Sequence, residues 1–168
     1  MPRVSTKENK NIYQQTRERL GLSREAASER LAGVSADKIE KIESEKTVPY
    51  PDEVLAMSRG YNAPTLCNHY CSKQCPIGME YVPEIKLKEL SQIVLETVAS
   101  LNAVEGEKNK LIELAADGEI SDKEIDEFIH IQGELERISV AVETLQLWTE
   151  KMLASGVIDK EKYNSRKK

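Results

Sequence analysis

The sequence predicts an all-α protein, with short packed helices in its first third and a long antiparallel helical hairpin, similar to a coiled coil, in its second half. Three observations predict this organisation. Residues 22–43 read as two short helices joined by a tight turn. Residues 83–158 carry apolar residues at alternating steps of three and four. Three cysteines within residues 67–75 lie between these two parts.

The stretch at residues 22–43 has the features of a helix-turn-helix. Ser23 and Ser35 are placed to cap its two helices, and Gly33 lies at the turn between them. The residues expected to face inward are Ala27, Leu31, Val34, Ile39 and Ile42. Lys38 and Lys41 are then expected to face outward, because they fall on the opposite side of the second helix.

Two further helices are expected to flank this pair. The first runs from about Asn11 to Leu20, with Ile12, Thr16 and Leu20 on its inner face and Gly21 ending it. The other begins at a cap from Asp52 and reaches about Gly60. Four short helices would therefore share one core.

This pattern resembles the lambda-repressor/Cro-like helix-turn-helix domain, also called the XRE type, over residues 11–63. The matching positions are Leu22-Ser23, Ala27, Gly33-Val34-Ser35, Ile39, Ile42-Glu43, Lys46 and Pro49. One extra residue precedes the turn, in Leu31-Ala32-Gly33, where the family usually has Leu-Gly. Glu45 stands where the family favours glycine, so it must adopt a positive φ or change the shape of the loop.

The resemblance implies a DNA-binding domain whose second helix of the pair enters the major groove. The residues that it places at base edges are Ser35, Ala36, Asp37, Lys38 and Lys41. Arg24 and Lys46 match positions that contact phosphates in the family. A lysine can donate to guanine, and Asp37 can accept from cytosine. Asp37, Glu40 and Glu43 make this helix acidic for a DNA reader.

The cysteine segment is expected to be helical, with Pro64 opening the helix and Pro76-Ile-Gly78 ending it. Cys67, Cys71 and Cys75 would then form one stripe, with His69 nearly opposite. Three interpretations stay open. The thiols are buried as small apolar groups; or the three cysteines and His69 are candidate ligands of zinc or an iron–sulfur cluster; or Cys71 and Cys75 form a reversible disulfide.

The hairpin has two expected seams. The first consists of Leu87, Leu90, Val94, Thr97, Leu101, Val104, Lys108, Leu111 and Ala115. After a turn at Asp117-Gly118 and a capping box from Ser121 to Glu124, the second consists of Phe128, Ile131, Leu135, Ile138, Val142, Leu145, Thr149 and Met152. Further apolar residues lie off both seams, and a two-helix hairpin cannot bury them all. We therefore expect a homodimer through this hairpin.

Composition restricts the possible classes of protein. No apolar run approaches the ~20 residues that a membrane helix needs, and the first residues lack the apolar stretch of a secretory signal. Three clustered cysteines are a poor disulfide framework, which is typical of a reducing cytoplasm. The sequence has no phosphate-binding loop, nucleophile elbow or His-Glu-x-x-His motif, so we expect no enzyme.

Charge divides the chain unevenly. Residues 1–63 carry 11 Lys and Arg against 10 Asp and Glu, whereas residues 64–168 carry 13 against 19. Since the acidic excess lies in the second part, any contact with DNA is expected in the first.

These observations predict a sequence-specific DNA-binding transcriptional regulator that acts as a dimer on double-stranded DNA. The expected parts are a DNA-binding domain at 1–63, a cysteine-containing connection at 64–82, a dimerising hairpin at 83–158 and a disordered tail at 159–168. Two alternatives stay open: a metal- or redox-sensing regulator that uses the cysteine segment, and a protein-interaction adaptor whose helix-turn-helix does not bind DNA.

Overall fold

The computed structural model describes residues 9–114 and 118–167, and the described residues form α-helices and no strand. The helices are α1 Ile12–Arg19, α2 Arg24–Arg30, α3 Ala36–Glu43, α4 Pro51–Gly60, α5 Thr65–Lys73, α6 Pro76–Tyr81, α7 Leu90–Leu114, α8 Ile125–Ala154 and α9 Lys160–Arg166. This architecture confirms the predicted all-α class. The predicted seam residue Ala115 and the turn residue Asp117 lie outside the described residues.

The first four helices follow local rules, but α4 begins at Pro51 with Tyr50 as its N-cap and not at the predicted cap from Asp52. The Asn11 side chain caps α1 by accepting from the Gln14 N–H at 3.0 Å, and Gly21 follows the end of α1 with φ 66°. Their shared core contains Tyr13, Leu22, Ala27, Leu31, Val34, Ile39, Ile42, Val54, Met57, Tyr61 and Leu66. Every predicted inward residue of the α2–α3 pair is therefore buried.

The inner face of α1 differs from the prediction at Leu20. Thr16 is buried, but Leu20 is 45 % exposed, and Arg17 occupies the buried position instead. The reason is that Leu20 is the C-cap of α1, where the chain already turns away from the helix.

The cysteine segment forms two helices rather than one. The first, α5, ends at Lys73, and Pro76 begins α6 instead of ending the previous helix. Proline suits the first position of a helix, because its missing N–H has no intrahelical partner there. Helix α5 packs on α4 and places Leu66 in the core, so the N-terminal bundle, α1–α6, continues past the predicted boundary at residue 63.

Two other boundaries differ from the prediction. The helix expected from Pro83 begins at Leu90, and residues 82–89 are not helical. The tail expected to be disordered contains α9, whose N-terminus is capped by the Asp159 carboxylate accepting from the Lys162 N–H at 2.9 Å. This side-chain cap satisfies a backbone donor that would otherwise have no intrahelical partner.

The described residues divide into two compact units, one within Ile85–Trp148 and one made of residues 9–84 together with 149–167. In the unit Ile85–Trp148 the Glu124 carboxylate accepts from the Ser121 N–H at 2.9 Å, which is one of the two hydrogen bonds of the predicted capping box. The helices α7 and α8 both line a groove of about 750 Å³, with residues 96–103 on one side and 133–141 on the other.

The inward line of α7 is rotated by about one residue from the predicted seam. Its buried or half-buried residues are Ile93, Thr97, Ser100, Ala103, Val104, Glu107, Leu111 and Leu114. The predicted seam residues Leu90, Val94, Leu101 and Lys108 are exposed. In α8 the buried residues are Ile131, Glu134, Ala141, Thr144 and Leu147, whereas the predicted Leu135, Val142 and Leu145 are exposed. Small residues such as Ala103 and Ala141 line the groove, so the facing sides are less apolar than a leucine seam.

Candidate nucleic-acid interface

The turn between α2 and α3 is built from short-range hydrogen bonds. The Ser23 hydroxyl accepts from the Ala26 N–H at 3.1 Å, and the Ser35 hydroxyl accepts from the Lys38 N–H at 3.2 Å. Gly33 has φ 83°, which favours glycine, and the Ser28 hydroxyl donates to the Val34 carbonyl at 2.9 Å across the turn. These contacts fix the start of α3 relative to α2.

A buried ion network joins the three helices behind this turn. The Glu43 side chain is 1 % exposed and accepts both Arg17 Nε at 2.5 Å and Arg17 Nη2 at 2.8 Å. Arg17 Nη1 also donates to the Leu22 carbonyl at 2.6 Å, and Arg24 Nε donates to Glu43 at 2.9 Å. The hydrogen bond to Glu43 is the main cause of a raised pKa for Arg17. Glu43 therefore faces the interior and adds no acidic surface to α3.

The exposed face of α3 begins with two of the predicted DNA-contacting residues. Ser35 is exposed and its hydroxyl caps the helix, and Ala36 is half-buried at the first position. Asp37 is exposed and forms an ion pair with Lys41 at 2.8 Å, one turn later on the same face. The hydrogen bond to Asp37 raises the pKa of Lys41. One candidate base-reading lysine is thus paired within α3 itself.

Lys38 is held by residues outside the helix-turn-helix. Its ammonium lies 3.3 Å from the Glu53 carboxylate and 4.6 Å from the centre of the Tyr50 ring. Glu53 also accepts from the Tyr50 N–H at 2.7 Å, which caps the start of α4. The Tyr50 side chain remains 66 % exposed.

Sequence reasoning missed Tyr50 and Glu53 as neighbours of Lys38. The signal was present in part, since Pro51 at the first helical position and Glu53 two residues later are typical of a helix start. That signal predicts the cap, but only the packed position of α4 brings the cap next to α3.

The predicted phosphate-contacting residues differ in how they are held. Arg24 is about one-third exposed and is bound to Glu43, with Glu40 3.7 Å away. Lys46 is exposed and makes no ion pair with any described residue. The structure thus places Arg24 beside the C-terminal half of α3, the end that Lys46 follows, and a buried carboxylate orients Arg24.

The C-terminal end of α3 has a tight cap. The Lys46 N–H donates to the Lys41 carbonyl at 2.9 Å, and the Glu45 N–H donates to the Ile42 carbonyl at 3.1 Å. This is the Schellman arrangement, and it places Glu45 at φ 60°. Asn11 Nδ2 donates to the Ile42 carbonyl at 2.8 Å, which ties the start of α1 to the end of α3. Of the two predicted outcomes for Glu45, the chain adopts the positive φ.

The candidate metal ligands do not share one helix face. Cys67 and Cys71 lie on α5, whereas Cys75 is the N-cap of α6. All three thiols are free and half-buried, and burial, followed by the neighbouring Cys75 and Cys67, raises the pKa of Cys71. The His69 ring packs edge-on against Tyr13. Within residues 9–114 and 118–167, no group of three or more His, Cys, Asp or Glu is placed to hold a metal ion. Zinc and iron–sulfur binding stay predictions.

The α2–turn–α3 geometry agrees with comparison against known protein families. Residues 14–66 match the family model described as a helix-turn-helix domain. This stretch is a helix-turn-helix domain. The match is consistent with the XRE-type resemblance, and it covers α1 from Gln14 onward, α2–α4 and the first two residues of α5. Comparison with curated proteins and with solved structures found no match.

Among the described residues, no helix combines the length and the apolar character that crossing a membrane requires.

Proposed function

We propose that this protein is a sequence-specific DNA-binding transcriptional regulator without enzymatic activity, and that it acts as a dimer. The observation that carries the proposal is the match of residues 14–66 to a helix-turn-helix domain, with α3 presented on the surface of that domain. A capped helix with an exposed N-terminal turn is the element that such domains place in the major groove.

The charges on α3 support DNA reading more than the sequence suggested. Glu43 is buried, the exposed Asp37 pairs with Lys41, and Glu53, whose side chain is 13 % exposed, pairs with Lys38. The exposed pair between Asp37 and Lys41 contributes only about 0–1 kcal/mol, so Lys41 can leave Asp37 at little cost and donate to a base edge. Lys38 would reach a base edge by leaving Glu53.

Dimerisation is supported by the apolar surface of the unit Ile85–Trp148. Exposed apolar side chains on α7 include Val94, Leu95, Val98 and Leu101, and on α8 they include Ile129, Leu135 and Val142. A second copy would bury these residues and would present two α3 helices at once. Two helix-turn-helix domains would also add their phosphate contacts, which compensates for the near-neutral charge of each domain.

The proposal is tested by selecting bound duplexes from a randomised DNA pool with the full chain. We expect an enriched motif containing two related half-sites. Lys38→Ala with Lys41→Ala should abolish the enrichment. Lys73→Ala with Lys162→Ala is the matched control, because these two lysines also form ion pairs but lie outside the helix-turn-helix.

Two outcomes would contradict the proposal. Absence of any enriched motif would favour the protein-interaction adaptor, which would use the same apolar faces of α7 and α8. A monomeric mass by light scattering at micromolar concentration would contradict the proposed dimer, but not DNA binding by a single helix-turn-helix domain.

A further inference from the structure

Two of the three cysteines flank the break between α5 and α6. Cys71 lies in the last turn of α5, and Cys75 is the N-cap of α6. Both thiols are free and half-buried, so each is partly accessible to a small molecule in solution. Only Ser72, Lys73 and Gln74 separate them along the chain. The break therefore lies inside a short segment that carries a thiol at each end.

Backbone contacts hold Cys71 and Cys75 close together. The Tyr70 carbonyl accepts from the N–H of Gln74 at 2.9 Å and from the N–H of Cys75 at 3.0 Å. Since Tyr70 directly precedes Cys71, standard backbone dimensions then place the Cα atoms of Cys71 and Cys75 no more than ~7 Å apart. Helix α6 also packs directly on α5 here, and a Cβ added at Gly78 would overlap the Cys71 carbonyl. Disulfides span Cα separations of about 4.4–6.8 Å, so a small movement suffices to join this pair.

Cys67 is less well placed for a disulfide. It lies one turn before Cys71, and both residues belong to the regular part of α5. Residues four apart on a helix have Cβ atoms about 5–6 Å apart, whereas a disulfide needs about 3.5–4.5 Å. A bond between Cys67 and Cys71 would therefore distort the helix. Cys75 lies outside α5, with φ −83° and ψ 119°, so its backbone can adjust without unwinding that helix.

Gln74 connects the segment between the two thiols to the helix-turn-helix. Its Oε1 accepts from the Tyr13 hydroxyl at 2.8 Å, and Tyr13, on α1, is 2 % exposed. The start of α1 is in turn tied to the end of α3, since Asn11 Nδ2 donates to the Ile42 carbonyl at 2.8 Å. A change of backbone geometry at Gln74 would therefore act on α1 through Tyr13, and on the end of α3 through Asn11.

We propose that Cys71 and Cys75 form a reversible thiol–disulfide site, and that closing the disulfide moves Gln74 away from Tyr13 and changes the packing of α1. The oxidant is a small-molecule disulfide, for example oxidised glutathione. The site does not depend on DNA binding, because neither cysteine belongs to α3.

The reaction consists of two exchange steps. One cysteine thiolate attacks a glutathione sulfur, which releases one glutathione thiol and leaves a mixed disulfide on the protein. The other cysteine then attacks the protein sulfur of that mixed disulfide, so the S–S bond forms between Cys71 and Cys75 and a second glutathione thiol leaves. The two cysteines are thus oxidised, and the two electrons and two protons that they lose are carried away by two molecules of reduced glutathione.

The test treats the full chain, without DNA, with oxidised glutathione, then alkylates the free thiols and digests the chain with trypsin. Lys73 lies between the two cysteines, so cleavage gives residues 60–73 and 74–86 as separate peptides. We expect mass spectrometry to find these two peptides joined by a disulfide, with Cys67 alkylated, and dithiothreitol to separate them. A disulfide between Cys67 and Cys71 would instead leave residues 60–73 as a single closed peptide.

Single variants assign the bond and its effect on α1. Cys67→Ser should form the linked peptides as the natural chain does, whereas Cys71→Ser and Cys75→Ser should not. In NMR spectra of Cys67→Ser, oxidation should shift the backbone amide resonances of residues 11–17, and dithiothreitol should reverse these shifts. Gln74→Ala, kept reduced, should shift some of the same resonances, because it removes the acceptor of the Tyr13 hydroxyl.

Three results would overturn the proposal. The first is that the two peptides are never linked in the natural chain. The second is that Cys67→Ser abolishes the link. The third is that oxidation leaves the α1 resonances of Cys67→Ser unchanged, as it should in the matched control Cys71→Ser.

Discussion

Replacing Glu43 by Gln tests whether the buried ion network holds the N-terminal bundle together. The substitution keeps the side-chain shape but removes the negative charge that Arg17 and Arg24 share. The Arg17 side chain is 8 % exposed, so its guanidinium cannot recover hydration without moving. Arg24, with a side chain that is 34 % exposed, can return to water.

The loss of stability expected for Glu43→Gln follows from this difference in burial. Removing one partner of a buried ion pair costs about 3–5 kcal/mol, because the remaining charge is left uncompensated. We take about 3 kcal/mol, since Gln can still accept one hydrogen bond. That is a large part of the ~5–15 kcal/mol that stabilises a domain. At ~4–8 °C per kcal/mol for a domain of this size, the melting temperature should fall by roughly 12–24 °C.

The assay is urea and thermal unfolding followed by far-UV circular dichroism. Glu40→Gln is the matched control, because Glu40 lies on the same helix and its side chain is 50 % exposed, 3.7 Å from Arg24. It should change stability by less than ~1 kcal/mol. If Glu43→Gln costs no more than Glu40→Gln, the buried network does not stabilise the bundle and the reasoning is wrong.

Three further perturbations test separate parts of the structure. Glu45→Gly should raise stability by about 1 kcal/mol in urea unfolding, because φ 60° is strained for a residue with a Cβ. Asn62→Gly, at φ 52°, should gain less, since asparagine tolerates this region of backbone conformation. Equal gains in the two variants would contradict the strain argument. Burial, followed by the charge of Glu43, raises the pKa of Tyr61 to about 12. The stability that neutral Tyr61 contributes should therefore be fully present below pH ~10 and be lost as the pH rises towards 12. Tyr61→Phe should remove the loss of stability between pH ~10 and 12 without lowering stability at pH 7, since the buried hydroxyl has no hydrogen-bond partner within the described residues. An unchanged loss of stability in Tyr61→Phe would show that Tyr61 does not cause it. Asp37→Asn should tighten DNA binding about two- to five-fold in fluorescence anisotropy, because it frees Lys41 and removes a negative charge, and no change would mean that the start of α3 does not approach DNA.

The helix-turn-helix could be predicted because its rules are local. Ser23, Gly33 and Ser35 act within three or four residues of their own positions, and the structure places each as expected. For Glu45 the sequence left two outcomes open, and the Schellman cap that ends α3 sets the positive φ.

Features set by tertiary packing could not be predicted in this way. Lys38 meets Tyr50 and Glu53 only because α4 packs beside α3. The inward line of α7 includes Ile93 and Leu114 rather than Leu90 and Leu101, because the apolar pattern of that helix fits two neighbouring lines and the facing helix decides between them.

The cysteine segment shows a similar limit. Helical spacing places Cys75 in line with Cys67 and Cys71 only if one helix continues to residue 75. The break at Lys73 and the new start at Pro76 remove that alignment. A proline at position 76 is compatible with either a stop or a start, so the sequence alone does not choose.

The central claim, that α3 reads base sequence, is tested most directly by affinity measured at one salt concentration on two duplexes, the selected motif and a scrambled version of it. The natural chain should bind the selected duplex at least ~10³-fold more tightly than the scrambled one. Lys41→Ala should lose most of its affinity for the selected duplex and little for the scrambled duplex, because a base contact carries specificity and a phosphate contact does not. Equal affinity of the natural chain for both duplexes would contradict the claim.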